Sequence, residues 1–128
     1  MFSHIMLGSN DLEASAKFYN AMLSTLGAKP GVKDRYRYFW RHAGNTFCVT
    51  TPINGEPATV ANGFTLGFAA ESIEQLTQAY EAALAAGGTA IENPPGWRGD
   101  DKLKLYLAYL RDPSGNKVCL MHRPPKAA

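Results

Sequence analysis

The spacing of apolar residues along the chain predicts a strand followed by a helix at its start. The apolar run at 2–7 predicts a short strand. Apolar residues then recur at helical spacing, with Asn10 or Asp11 placed to cap the helix and Gly27 placed to end it. The face that this pattern buries consists of Leu12, Ala16, Tyr19, Leu23 and Leu26.

Two more strands and a linker are predicted next. Basic and aromatic residues alternate over 35–41, which is typical of a strand with one face in solvent. The β-branched run at 46–51 predicts another strand. Residues 54–62 contain Pro, Gly and Asn without periodicity, so we expect a linker that follows a first module at 1–53.

After the linker the same pattern begins again. Residues 63–69 predict a strand, and Ser72 with Gln75 has the spacing of a helix capping box. The second helix is predicted to end at Gly87, and a short strand is predicted at 89–92.

The chain is predicted to end in a β-hairpin. A loop with two prolines is expected at 93–101, before a strand that ends at the turn 112–116. In that turn a proline presets φ and a glycine accepts a positive φ, which favours a tight reversal. The returning strand completes a second module at 63–123, and 124–128 is expected to be a tail.

The two halves have the same order of elements and therefore predict an internal repeat. His4 precedes Leu12 by eight residues, and Thr65 precedes Ile73 by eight. Two βαβββ modules fit the chain, and neither would bury its sheet alone, so we expect them to pack into one compact α+β domain.

Composition and charge exclude several classes of partner. The chain of 128 residues carries a formal net charge of +2, which does not favour a nucleic-acid or membrane partner. No apolar run approaches the roughly 20 residues of a membrane span, and the first residues lack the pattern of a signal peptide. Two cysteines without metal-site spacing are typical of the cytoplasm, where we expect the protein to reside.

Two segments resemble a known superfamily. DPSGNKVCLM at 112–121, and HIMLGSNDLEASAKFY at 4–19, resemble the terminal hairpin and the first strand and helix of the vicinal oxygen chelate superfamily. That group contains glyoxalases, bleomycin-resistance proteins and extradiol dioxygenases. The resemblance implies two βαβββ modules that form a curved eight-stranded mixed sheet around a cleft, and a homodimer. It also implies, for the enzymes, a divalent metal bound by the first and last strands of each module.

The chain keeps only part of the metal-ligand pattern that the resemblance implies. His4 matches the first histidine, whereas Thr65 stands where the enzymes have histidine and Cys119 where they have glutamate. The last strand of the first module has no carboxylate, and Cys48 or Val49 falls near that ligand position. We therefore expect no metal or other cofactor. The alternative is a divalent metal, with His4, Cys48 and Cys119 as a possible zinc-binding set.

The expected cleft would be lined by a mixture of apolar and weakly polar side chains. Its predicted members are His4, Met6, Tyr38, Trp40, Cys48, Thr65, Trp97, Tyr106, Cys119 and Met121. His4 is the candidate catalytic residue, because imidazole titrates near neutral pH. The alternative to a catalytic or ligand role for His4 is a polar residue that only lines the cleft. The alternative to a zinc-binding role for the two cysteines is packing in the interior. The aromatic residues have the core or a dimer interface as their alternative to a ligand-binding role.

Three functions are consistent with these patterns. The first is binding of a small organic molecule in the cleft without the standard metal. The second is a metal-dependent lyase, isomerase or dioxygenase that uses His4; a lactoylglutathione lyase-like or dioxygenase-like activity follows from the resemblance only. The third is a dimerisation or regulatory module without a small-molecule ligand.

Overall fold

The computed structural model describes residues 1–100 and 102–125. The order of elements is βαβββ followed by βαβββ. The elements are β1 (Ile5–Gly8), α1 (Leu12–Thr25), β2 (Val32–Asp34), β3 (Arg37–His42), β4 (Asn45–Thr50), β5 (Leu66–Ala69), α2 (Ile73–Ala85), β6 (Thr89–Gly99), β7 (Lys104–Arg111) and β8 (Lys117–His122). No helix in these ranges is long and apolar enough to cross a membrane.

Each module forms its own four-stranded mixed sheet. The strand orders are β1-β4-β3-β2 and β5-β8-β7-β6. The first strand pairs parallel to the last strand of its module, and the other neighbours are antiparallel. Met6 pairs with Cys48, and Gly67 pairs with Cys119, so the two cysteines occupy equivalent places in the repeat. The predicted pair of βαβββ modules is confirmed.

The two modules share one hydrophobic core. Helices α1 and α2 pack against each other. Tyr19 of α1 is fully buried, and its ring lies 4.6 Å from the ring of Phe47 and 6.3 Å from that of Phe68 in the second module. Phe47 and Phe68 also meet edge to face at 5.2 Å. Aromatic pairs of this kind stabilise the contact between the two modules by more than the burial of their apolar area alone.

The turn between β7 and β8 clamps the second module onto the first. Asp112 is buried, and its carboxylate accepts a hydrogen bond of 2.7 Å from the Tyr19 hydroxyl. Asn116 donates to the Gly8 carbonyl at 2.9 Å, and the Ser114 hydroxyl accepts from the Asn10 amide at 2.9 Å. Within the turn, Asp112 also accepts from the amides of Ser114 and Asn116. The turn therefore holds itself rigid while it bonds to the other module.

The predicted helix ends are confirmed. The carboxylate of Asp11 accepts from the Ala14 amide at 3.0 Å, and the Ser72 hydroxyl accepts from the Gln75 amide at 3.0 Å. Gly27 follows α1 with a φ of 99°, a left-handed conformation that favours glycine.

Two elements differ from the prediction. Strand β2 was not predicted, because it is three residues long and exposed throughout. The prediction of a loop at 93–101 is wrong, since β6 continues to Gly99. Its pairing with β7 shifts between Ile91 and Gly96, so both prolines lie in an irregular part of an edge strand, where a missing N–H is tolerated. Asp101 and residues 126–128 of the predicted tail lie outside the described residues.

Each sheet has one face toward the helices and one face away from them, here called its outer face. In the first module the helix-facing residues include Leu7, Trp40 and Val49, and in the second they include Val118 and Leu120. By alternation, Met6 and Cys48 lie on the outer face of the first sheet, and Cys119 and Met121 on that of the second.

Candidate functional site

An apolar cavity of about 770 Å³ lies between the two modules. Its volume is within the range of small-molecule sites, about 300–1,000 Å³. Its apolar walls come from the end of α1, from β3 and β4, and from β5. These wall residues are Leu23, Leu26, Ala28, Trp40, Phe47, Leu66 and Phe68.

The cavity lies at a place where the two modules differ in the length of the turn between their last two strands. In the second module the five-residue turn 112–116 packs against Gly8 and Asn10. The equivalent turn of the first module is shorter, because His42 pairs with Asn45 and only two residues join the strands. That short turn borders the cavity together with Ala69 and Glu71, the equivalents of Gly8 and Asn10. The longer turn of the second module therefore covers the residues after β1, whereas the shorter turn of the first module leaves the equivalent place after β5 open.

Three of the predicted site residues line this cavity. His4 and Thr65 are exposed and lie at its rim, immediately before β1 and β5. The Nδ1 atom of His4 is 2.8 Å from the Ser3 hydroxyl oxygen. Trp40 forms part of the buried wall, and its indole N–H donates to the Asn20 side-chain oxygen at 2.9 Å. The cavity thus combines apolar walls with a small set of polar side chains: the imidazoles of His4 and His42, the hydroxyls of Ser3, Thr46 and Thr65, the Asn45 amide and the Glu71 carboxylate.

Four other predicted residues lie on the outer faces of the sheets. Met6 and Cys48 are neighbours on the first sheet, and Cys119 and Met121 follow the same face of β8. The structure brings the members of each pair together and leaves the two pairs on separate sheets. Tyr109, which was not predicted, lies directly opposite Cys119.

The remaining three predicted residues lie on helix-facing sides. Tyr38 stacks against Trp40 with a ring separation of 5.9 Å. Trp97 and Tyr106 are paired on β6 and β7, and their rings meet edge to face at 5.3 Å. These three rings lie away from the outer faces that carry the cysteines, because the residues that bear the rings alternate along their strands with the residues of the outer faces.

Several cavity residues were missed from the sequence. Phe2 and Phe64 precede the first strands of the two modules and line the rim, with 77% and 40% of their surfaces exposed. A large apolar side chain shortly before the first strand of each module was the available signal. Phe47 and Phe68 were not distinguishable in the sequence from ordinary core residues.

The two cysteines are buried, unpaired thiols. Burial raises the pKa of Cys48, and the nearby charges of Arg41 and Arg37 lower it by less. Burial also raises the pKa of Cys119, against a smaller lowering by the neighbouring Tyr109 side chain. Both groups are therefore thiols rather than thiolates at neutral pH.

Comparison with known proteins agrees with this architecture. Residues 1–120 match the family model of the glyoxalase/bleomycin resistance protein/dioxygenase superfamily. The chain belongs to this superfamily. A crystal structure of a glyoxalase/bleomycin resistance protein from Albidiferax ferrireducens T118 is 60% identical, with a TM-score of 0.91 and coverage of 97% of this chain and 99% of that chain.

Two structures with lower sequence identity are similar to the chain in fold alone. A glyoxalase-related enzyme from Fulvimarina pelagi is 22% identical, with a TM-score of 0.73 and coverage of 100% of this chain and 93% of that chain. The fosfomycin resistance protein FosX from Listeria monocytogenes is 18% identical, with a TM-score of 0.67 and coverage of 100% and 94%. No curated protein matches the chain.

The superfamily implies a divalent metal in its enzymes, and the residues at the implied positions do not fit one. His4 is the single imidazole among them. Thr65 offers a neutral hydroxyl, and Cys48 and Cys119 are protonated thiols on different sheets. Within 1–100 and 102–125, no group of three or more His, Cys, Asp or Glu side chains is placed to hold a metal. A divalent cation is normally neutralised by carboxylates, thiolates or several imidazoles.

Proposed function

We propose that this superfamily member binds a small, mainly apolar organic molecule in the cavity between its modules, without the standard divalent metal. The observation that supports the proposal is the cavity itself, which has a volume of about 770 Å³, apolar walls, and a few polar side chains that include His4, His42 and Thr65. Such a site gains affinity from burying apolar surface and orientation from a few polar groups.

His4 is the residue to which the proposal assigns any acid–base role. It is exposed at the rim, where its imidazole would meet the polar part of a bound ligand. The proposal includes binding and no particular reaction. A metal-dependent lyase or dioxygenase would need ligands that the implied positions do not supply.

The proposal also includes a homodimer in the cytoplasm. Several large apolar side chains are exposed in the single chain, including Phe2, Val32, Phe64 and Trp97. Burying them against a second copy would remove apolar surface from water. Light scattering coupled to gel filtration tests this part, and a monomer at micromolar concentration would contradict it. Two free, buried thiols support a reducing compartment.

A cavity-blocking variant tests ligand binding. Thermal-shift and calorimetric titrations of the full chain with indole and thioanisole are expected to show saturable stabilisation. Thr65→Trp places a large ring at the rim and is expected to abolish it. Since Thr65 is exposed, the substitution should leave folding intact.

Thr59→Trp is the matched control. Thr59 is exposed in the linker and does not line the cavity. This variant is expected to bind both probes like the parent. Equal loss of binding in the two variants, or binding that survives Thr65→Trp unchanged, would show that the probes bind elsewhere.

A further inference from the structure

The open place after β5 presents a backbone carbonyl to the cavity. The amide of Ala70 donates to the Met121 carbonyl of β8 at 2.8 Å. Because backbone groups alternate in direction along a strand, the carbonyl of Ala69 points away from β8. β5 is the edge strand of its sheet, so this carbonyl lies at the free edge. Ala69 is exposed there and lines the cavity.

The first module shows which chemical group fits a carbonyl in this position. Gly8 is the equivalent of Ala69, and its carbonyl accepts from the side-chain nitrogen of Asn116 at 2.9 Å. The same nitrogen donates to the Asp112 carboxylate at 2.9 Å, so one NH₂ group lies between a carbonyl and a carboxylate. The shorter turn at 43–44 consists of alanine and glycine, which have no side-chain donor to offer in return.

A carboxylate stands close to the free carbonyl as well. Glu71 follows Ala69 by two residues, and it also lines the cavity. Its equivalent in the first module, Asn10, is bonded through its side chain to the backbone of Ala58 in the linker. Within residues 1–100 and 102–125, the Glu71 carboxylate forms no salt bridge. Two acceptors, one of them negatively charged, therefore border this end of the cavity.

The charge of this end favours a cation over an anion. Among the described residues that line the cavity, Glu71 is the single member of the aspartate, glutamate, lysine and arginine types. The start of α2 could attract an anion, but two of its amides are already bonded. The Glu71 amide donates to the Gln75 side-chain oxygen at 2.7 Å, and the Gln75 amide donates to the Ser72 hydroxyl at 3.0 Å. The nearest full charge to an incoming ligand is thus negative.

The walls of the cavity suit an aromatic ligand. The ring of Phe47 lies 5.2 Å from that of Phe68 and 5.6 Å from that of Trp40. Such rings pack against a further ring, and their faces also attract a cation. Gly67 leaves space along β5, because no heavy atom lies within 4 Å of an added Cβ.

We infer that the cavity takes an aromatic amine. The ring of the ligand packs against the aromatic walls, and its primary ammonium group donates to the Ala69 carbonyl and the Glu71 carboxylate. The ammonium nitrogen corresponds to the Asn116 nitrogen of the other half of the repeat, which also lies between a carbonyl and a carboxylate. An ammonium group balances the charge of Glu71, which a neutral amide would not. The inference rests on the proposed function, because it names the ligand class of the same cavity.

The test is a calorimetric titration of the full chain with 2-phenylethylamine, 2-phenylethanol and 3-phenylpropionate. At about pH 7 the amine is protonated and the acid is ionised, so these probes of similar size differ mainly in charge. Ionic strength is held constant with sodium chloride. The parent is expected to bind the amine about fivefold or more tighter than the alcohol, and the carboxylate more weakly than the alcohol.

Variants of one glutamate separate this contact from general attraction. Glu71→Gln keeps the size of the side chain and is expected to bring the Kd of the amine within about twofold of that of the alcohol. The Kd of the alcohol itself should not change. Glu71→Lys is expected to reverse the order, so that the carboxylate binds most tightly. Glu74→Gln is the matched control, because Glu74 is exposed in the first turn of α2 and does not line the cavity. This control should keep the preference for the amine.

Several outcomes would overturn the inference and leave the cavity proposal standing. They are equal affinity for the amine and the alcohol in the parent, a preference for the amine that survives Glu71→Gln, and an equal loss of that preference in Glu74→Gln. Tightest binding of 3-phenylpropionate by the parent would assign an acidic ligand instead, and binding of indole alone would exclude all three classes. If neither indole nor any of these probes binds, the proposed function fails and this inference fails with it.

Discussion

At the scale of single residues, Asp112 contributes most clearly to joining the modules. Its carboxylate is buried and accepts from the Tyr19 hydroxyl, from the Asn116 side chain and from two backbone amides. The sequence predicted its place in a turn, but not its bond to Tyr19. The two residues are far apart in the chain, and only the packing of the modules brings them together.

Removing the Tyr19 hydroxyl tests this contact. Tyr19→Phe is expected to lower the free energy of unfolding by about 1.5–3 kcal/mol, because a hydrogen bond to a buried carboxylate is lost. Urea denaturation monitored by circular dichroism measures the change. Tyr80 occupies the equivalent place in α2 and is the control; Tyr80→Phe should change stability by less than about 0.5 kcal/mol. Equal losses of unfolding free energy in the two variants would show that the hydrogen bond from Tyr19 to Asp112 does not contribute the expected stability.

At high pH the same contact predicts a loss of stability. Burial, followed by the charge of Asp112, raises the pKa of Tyr19 well above its usual value of 10.0. The unfolded chain therefore loses this proton at a lower pH than the folded chain, and stability falls as pH rises above the unfolded pKa. Denaturation between pH 9 and 11, in roughly half-unit steps, should show a steeper fall for the parent than for Tyr19→Phe. Parallel curves would contradict this assignment.

At the scale of elements, the sequence predicted both helices and their caps because these depend on local contacts. It failed at β6, where prolines suggested a loop, since pairing with β7 is a tertiary contact. It also failed to indicate which alternating set on β3 faces the helices. The set with Tyr38 and Trp40 faces them, and the set with Arg37 and Arg41 faces outward. Alternation specifies two faces, and packing decides which one is buried.

The β7–β8 turn gives a test at this scale. Gly115 has a φ of 93°, so Gly115→Ala is expected to cost about 1–2 kcal/mol of unfolding free energy. Gly67 in β5 has an unstrained backbone and no heavy atom within 4 Å of an added Cβ. Gly67→Ala is therefore the matched control, expected to stabilise by about 0.4–1 kcal/mol. Chemical denaturation checks both, and a neutral Gly115→Ala would contradict the role of the turn.

At the scale of the whole molecule, the superfamily and the repeat were recognisable from the sequence, but the cavity was not. The cavity arises because the turn after His42 is shorter than its counterpart after Arg111, and because two modules meet around it. Neither the gap nor its lining follows from the pattern of either module alone. The residues that match the superfamily's metal positions are instead divided among the rim and two outer faces.

The central claim is that ligand binding depends on this apolar cavity and not on a metal. Calorimetric titration of the parent with indole tests it most directly, first in excess EDTA and then, after the EDTA has been removed by dialysis, with one equivalent of zinc, nickel or manganese. The same Kd is expected in every condition, and much less than one equivalent of metal is expected to remain bound after dialysis. Binding that disappears in EDTA, returns with metal and is lost with stoichiometric metal in His4→Ala would contradict it.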